Sequence, residues 1–302
     1  MNGLSTTPPK DLQQVQSTLQ ALLPRLVDAS QDVENDPIIK IAGPEDVAWL
    51  QDFATPGDAH ALDQVVDEAF SIFHERLRVN HSRFMGLIPS PTSSVAWVGN
   101  VIASAFNALG ASKLQASGPV AVEKKLIDWL GERVGLPATR GGLFVSGGSM
   151  ANLMAMVMAR DRYLSASEHG RGRVYVTSET HFSVAKALRL LGFGQGCVQR
   201  VPVDRESRMN AGALERMLLA DRNAGYVPFA VVATCGTTNT GAVDPLHSIS
   251  EVCRANKVWM HVDGAYGASV ALSNTRRQLL ADLGCADSVS WDAHKWLFQT
   301  YS

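Results

Sequence analysis

The 302-residue sequence lacks any run of about five or six like charges, and its formal net charge is only −2. That balance gives no electrostatic reason to expect nucleic acid or an anionic membrane as partner. A small, diffusible substrate is the expected ligand. No stretch approaches the roughly 18 apolar residues of a membrane helix. The opening "MNGLSTTPPKDLQQ" carries no basic start leading into an apolar segment, so a cytoplasmic protein is expected. The four cysteines, Cys197, Cys235, Cys253 and Cys285, include no C-x-x-C pair. Neither a structural zinc site nor a disulfide framework is indicated, and buried, reduced thiols are predicted. Internal repeats and low-complexity tracts are absent as well.

What is present is a chain with 46% hydrophobic residues, long enough to bury a sizeable core. In "DLQQVQSTLQALLPRLVDA" and "LDQVVDEAFSIFHERL" apolar residues recur at helical spacing, for example Val66, Phe70 and Phe73. Turn formers fill the stretch between these helices, and Pro89 and Pro91 exclude regular helix after them. Residues 1–110 therefore read as a helical arm without a sheet of its own. Residues 111–302 read as a second, α/β domain. It opens with the helix "VEKKLIDWLGERV", whose Val122, Leu126, Trp129, Leu130 and Val134 share one side. Candidate strands "GLFVS", "RVYVT", "CVQRVPV", "FAVVATC", "VWMHVD" and "SVSW" then alternate with helical stretches. Several of these strands are continuously apolar, which argues a mostly parallel sheet covered on both faces.

In such sheets ligands collect at the carboxyl ends of the strands, so the residues just after each strand are the informative ones. After "GLFVS", Gly147 and Gly148 allow a tight turn into a helix beginning near Ser149. Free N–H groups and the positive helix end there suit a phosphate, although a plain turn capped by Ser149 fits equally. After "RVYVT", His181 stands in the turn before a helix. After "FAVVATC" come Thr237, Thr238 and Thr240, a cluster that also fits a simple turn. Asp263 ends "VWMHVD", where burial disfavours its charge unless something positive sits opposite. His261 shares its strand face, but a metal pair lacks a third ligand. After "SVSW" come Asp292, His294 and Lys295. The apolar setting of Lys295, between Trp291 and "WLF", favours a neutral, nucleophilic amine. A phosphate cradle, a buried aspartate and a desolvated lysine at one sheet edge together describe a site for pyridoxal phosphate.

With these residues in view, the sequence resembles the group II pyridoxal-phosphate-dependent amino acid decarboxylases, relatives of the aromatic amino acid, glutamate and diaminobutyrate enzymes. The carrying stretches include "FVSGGSMANLMAMVMAR", "TSETHFSVAKALRLLG", "ATCGTTNTGAVDPL", "HVDGAYGAS" and "SWDAHKWL". The resemblance implies an aminotransferase-like large domain of fold type I, a homodimer, and decarboxylation of an L-amino acid to its amine and CO2. It also implies roles for single residues. Lys295 matches the lysine that forms the internal aldimine, Asp263 the partner of the pyridine nitrogen, and His181 the histidine stacked on the ring. Gly148, Ser149 and Met150 match the phosphate cradle. By the same resemblance, Thr238, His294 and Asp292 are expected beside the cofactor.

Two departures bear on this expectation. Leu87 and Ile88 stand where animal aromatic decarboxylases place aromatic residues, and Asp292 replaces a frequent asparagine. The resemblance also implies an antiparallel strand, a catalytic loop and a small C-terminal domain beyond the lysine, so the sequence is expected to be the N-terminal portion of a decarboxylase. Three other readings compete. A serine hydrolase would use Ser149, Asp263 and His294 but assigns no role to Lys295. Another pyridoxal phosphate reaction, transamination or oxidative deamination, fits the same fold. A non-catalytic remnant would bind cofactor or a partner subunit.

Overall fold

The computed structural model describes residues 12–31, 34–53, 57 and 60–301. The chain divides into two compact units, residues 1–87 and 88–302. The first contains α1 (Leu12–Gln31), α2 (Pro44–Phe53) and α3 (Leu62–His74). Arg25 of α1 lies 4.2 Å over the Phe70 ring of α3 and 2.8 Å from Asp67. The expected absence of a sheet holds for the described residues of this unit, where Ile39 and Leu77 form an isolated bridge.

The second unit begins with α4 (Ser94–Phe106) and α5 (Lys113–Arg133). Ser93 caps α4 by accepting the Ala96 N–H, and α5 breaks its helical backbone at Ala116, just before Pro119. Their apolar faces are largely uncovered within the chain, with Val95 79% and Phe106 81% exposed. From α6 (Gly148–Tyr163) onward, strands and helices alternate. They run β1 (Gly172–Val176), α7 (Phe182–Leu190), β2 (Val198–Arg200), α8 (Ala211–Asn223), β3 (Val227–Thr234), α9 (Leu246–Asn256), β4 (Trp259–Asp263), β5 (Ser288–Ser290) and the short α10 (Ala293–Trp296).

The five strands form one parallel sheet in the order β2-β1-β3-β4-β5. The expected α/β architecture is the observed one. Residue alternation along the strands feeds two cores. Tyr175, Val231, Ala233, Met260 and Val262 pack with Leu214 and Leu218 of α8 and Ile249 of α9. Val174, Val176, Phe229 and Val232 pack with Met156 of α6 and Leu188 of α7. Both faces of the sheet are thereby covered, which is why β3 can be apolar almost throughout. Strand order reverses between β1 and β3, and a crevice opens there at their carboxyl ends.

Two expectations are corrected. "GLFVS" is not a ladder strand, because residues 142–146 pair with no strand among the described residues, and Phe144 instead donates its N–H to Glu123 at 3.1 Å. Extended, apolar sequence makes a strand only where a neighbour supplies the ladder. Cys285 is only half-buried, whereas the other three thiols are buried and pushed up to about 12 by that burial.

Two loops at the carboxyl edge are locked together at Gly267, whose N–H donates to the Cys235 carbonyl at 3.0 Å. A Cβ on Gly267 would collide with that carbonyl, which is backbone and cannot swing aside. Gly267→Ala is expected to lower stability by about 1–3 kcal/mol, read as a lower urea midpoint. An unchanged midpoint would show that the two loops are not tightly joined.

Candidate active site

Each strand end delivers one part of the site. At the end of β4, Asp263 is 6% exposed, and three neutral donors hold it. The Asn152 amide of α6 donates to Oδ2 at 2.9 Å, while the Ser290 hydroxyl and the Ala265 N–H reach Oδ1 at 3.2 and 3.1 Å. The expected cationic neighbour is thus replaced here by hydrogen bonds, which also favour an ionised carboxylate. His261, two residues earlier, has both ring nitrogens engaged, by Ser288 Oγ and Asn152 Oδ1, each at 2.9 Å. Burial lowers it from 6.5 to about 4, keeping it neutral near pH 7.

After β1, the Thr177 N–H donates to Thr180 Oγ1 and turns the chain into α7. His181 caps that helix, its Nδ1 facing the Ser183 N–H at 3.3 Å and the Ser183 hydroxyl at 2.8 Å. After β3, buried Asp244 accepts the N–H groups of Thr234 and Met209 at 2.7 and 2.6 Å. Burial raises its carboxyl although both bonds pull the other way. This clamp returns the loop that carries Thr238 to the sheet, and Thr237 and Thr240 bond each other within it at 2.6 Å.

At the start of α6 the cap is Gly147, at φ 139°, and not Ser149. The next residue, Gly148, lies against Asp292, where an added Cβ would sit 2.7 Å from Oδ2. The helix therefore begins as bare backbone. After β5, Asp292 is 7% exposed at its side chain and pairs with Lys295 Nζ at 3.0 Å, while His294 Nε2 lies 4.0 Å away. The apolar setting expected for Lys295 is corrected accordingly. Trp291 turns its indole to Ser269 at 2.7 Å, and a carboxylate meets the amine instead. The Ser90 hydroxyl contacts the Lys295 carbonyl, fixing the backbone of the short helix.

These residues meet around one cavity of about 390 Å³, bordered by Gly148, Ser149, Met150, His181, Thr238, Asp263, Asp292, His294 and Lys295, within the size range of small-molecule sites. Of the residues singled out in the sequence at the strand ends, Thr237, Thr240 and His261 are not among those that border it. The hydrolase arrangement does not form. Asp263 is held by Asn152, Ser290 and Ala265, and the carboxylate near His294 is Asp292, so no Asp263–His294 pair is in place to orient a base for Ser149. Sequence reasoning missed Asn152, Ser183, Asp244, Glu179 and Tyr266. The one available signal was a polar Asn152 inside the otherwise apolar "ANLMAMVM".

A parallel sheet covered on both faces, with a cavity bordered by the loops that follow β1, β3, β4 and β5, defines an α/β fold with a ligand site at the strand ends. The chain belongs to the pyridoxal-dependent decarboxylase family, whose conserved domain matches residues 44–301. It is 39% identical over 231 residues to an aromatic-L-amino-acid decarboxylase of Bacillus atrophaeus, covering 76% of this chain and 48% of that protein. It is 34% identical over 260 residues to the cysteine sulfinic acid decarboxylase of Mus musculus, covering 84% and 52%. The crystal structure of mouse CSAD superposes with a TM-score of 0.89 at 31% identity, over 97% of this chain and 64% of that one. Oryza sativa TDC with PLP and tryptamine gives 0.90 at 30%, over 98% and 64%. The chain spans about half the length of the curated relatives it matches.

Neutral, buried His261 carries a pH dependence of stability. Its folded pKa lies below the unfolded value, so protonation favours unfolding. The contribution is complete above about pH 6.5 and is lost as pH falls toward about 4. Its full size is on the order of 3 kcal/mol. Urea unfolding from pH 7 to 4 is expected to fall less steeply in His261→Gln than in the parent chain. Parallel curves would remove His261 as the source.

Proposed function

We propose that the cavity binds pyridoxal 5′-phosphate and that the protein decarboxylates an L-amino acid to the corresponding amine and CO2. The observation that carries this reading is the meeting of Lys295, Asp263, His181 and a bare helix start around one cavity. The fit is chemical as well as spatial. Backbone N–H groups at Gly148 and Ser149 suit a phosphate, while that of Met150 donates to the Gly147 carbonyl at 3.0 Å, and the space a Cβ would fill at Gly148 is already taken by Asp292. When bound, the cofactor supplies an aldehyde for an amine and a ring that accepts electrons as a carboxylate departs.

The chain's own residues then divide the work. Lys295 offers the amine, and Asp292 Oδ2, 3.0 Å from Nζ, holds and orients it. Asp263, fixed by three neutral donors, would hold a proton on the pyridine nitrogen. His181 borders the cavity on the β1 side, where it would stack on the cofactor, and Thr238 and His294 border the same cavity.

In the same reading, residues 1–110 form a dimerisation arm and residues 111–302 the cofactor-binding domain. The exposed apolar residues of α4, Val95, Val98, Val101, Ile102 and Phe106, support burial against a second copy. A cytoplasmic location accords with four unpaired cysteines. Among the described residues no helix is long and apolar enough to cross a membrane.

The test is borohydride reduction of the chain in pyridoxal phosphate, followed by peptide mass spectrometry. A pyridoxyl group on Lys295, absent from Lys295→Ala together with its visible absorption band, is the expected result. A folded chain that gains no band would overturn cofactor binding.

A further inference from the structure

We infer that Asn152 is a positioning residue that fixes Asp263 and, through Ser183, sets which nitrogen of His181 carries the proton. The inference rests on the proposed reading of the cavity only for the chemistry it serves. Its geometry lies in a buried polar chain in which Asn152, Ser183 and His261 are each 2% exposed or less. At such depth every donor needs an acceptor.

The direction of each bond follows from Asp263. An ionised carboxylate only accepts, so the atom of Asn152 that faces Asp263 Oδ2 at 2.9 Å is its NH2 group. The same group donates to Ser183 Oγ at 2.9 Å. The amide oxygen then faces His261 Nε2 at 2.9 Å and must receive an N–H from it. Neutral His261 has only one such proton, so its Nδ1 accepts from the Ser288 hydroxyl. Ser288 is free to donate because the Trp259 indole N–H, at 2.9 Å, already fills its acceptor side.

The other branch ends in the cavity. The Ser183 N–H approaches His181 Nδ1 at 3.3 Å and needs a lone pair there, so the Ser183 hydroxyl, which receives the Asn152 N–H, turns its own proton to the same nitrogen at 2.8 Å. Two donors aimed at Nδ1 require a lone pair there. The proton of neutral His181 therefore sits on Nε2, leaving an N–H donor on a residue that borders the cavity. Reversing the Asn152 amide would place oxygen against the Asp263 carboxylate and would break both branches at once.

The experiment reads imidazole 15N shifts in the full chain without cofactor, at alkaline pH where the rings are neutral. His181 is assigned by loss of its signals in His181→Gln. In the parent chain the expected pattern is a pyridine-type Nδ1 and a pyrrole-type Nε2. In Asn152→Ala the freed Ser183 hydroxyl can turn away, and both shifts are expected to move toward their average. Ser183→Ala should reproduce that change while leaving the Asn152–Asp263 bond intact, and it carries the test if Asn152→Ala does not fold. A pyrrole-type Nδ1 in the parent, or His181 shifts unmoved in a folded variant, would overturn the inference. Because no cofactor is present, failure here is separate from failure of Lys295 to capture pyridoxal phosphate.

Discussion

The site depends on satisfying one carboxylate where water hardly reaches it. Asp263 sits at the end of the fourth strand, and the donors that satisfy its oxygens come from α6, from the fifth strand and from its own turn. Those three bonds join a helix preceding the sheet to two adjacent strands. A buried charge is costly unless its lone pairs are satisfied. The residues that satisfy Asp263 also fix where the neighbouring parts of the cavity stand. Asn152 is the junction, since it touches Asp263, Ser183 and His261 at once. Removing it would leave several buried polar atoms unpartnered, a larger loss than one average hydrogen bond.

Electrostatic compensation elsewhere in the cavity follows the same logic with charged partners. Lys295 and Asp292 meet at 3.0 Å beside the start of α6, and the bare glycines there let Asp292 approach the helix. Within the proposed function, this pair holds the lysine amine beside the helix start. The hydrogen-bonded clamp at Asp244 serves position only. It accepts two backbone N–H groups and returns the threonine-bearing loop to the sheet.

Much of this was legible in the sequence, because strand ends carry ligands and the apolar runs mark the strands. Asp263, Lys295 and His181 stand at three such ends, and all three border the cavity. What escaped was set by contacts far apart in the chain. Asn152 and Asp263 are 111 positions apart, and nothing local to "SMANLM" announces an aspartate partner. The misassigned strand at residues 142–146 failed for a related reason, since β character there requires a neighbour to pair with. Trp291 misled the reading of Lys295 because sequence adjacency does not tell which side of the backbone a ring takes. The histidine beside Asp263 invited comparison with a metal pair, but its nitrogens complete a neutral hydrogen-bonded chain.

The parallel order β2-β1-β3-β4-β5 has a consequence for how the cavity comes into being. Its walls are loops that follow β1, β3, β4 and β5 together with the start of α6, and each parallel neighbour is reached only through a crossover. No short segment can assemble the cavity alone, and the sheet must close loops of many residues before any wall faces another. Occupancy is therefore linked to the folding equilibrium of the whole α/β unit. A molecule held among these loops stabilises every strand that carries one, by an amount that grows with the logarithm of its free concentration.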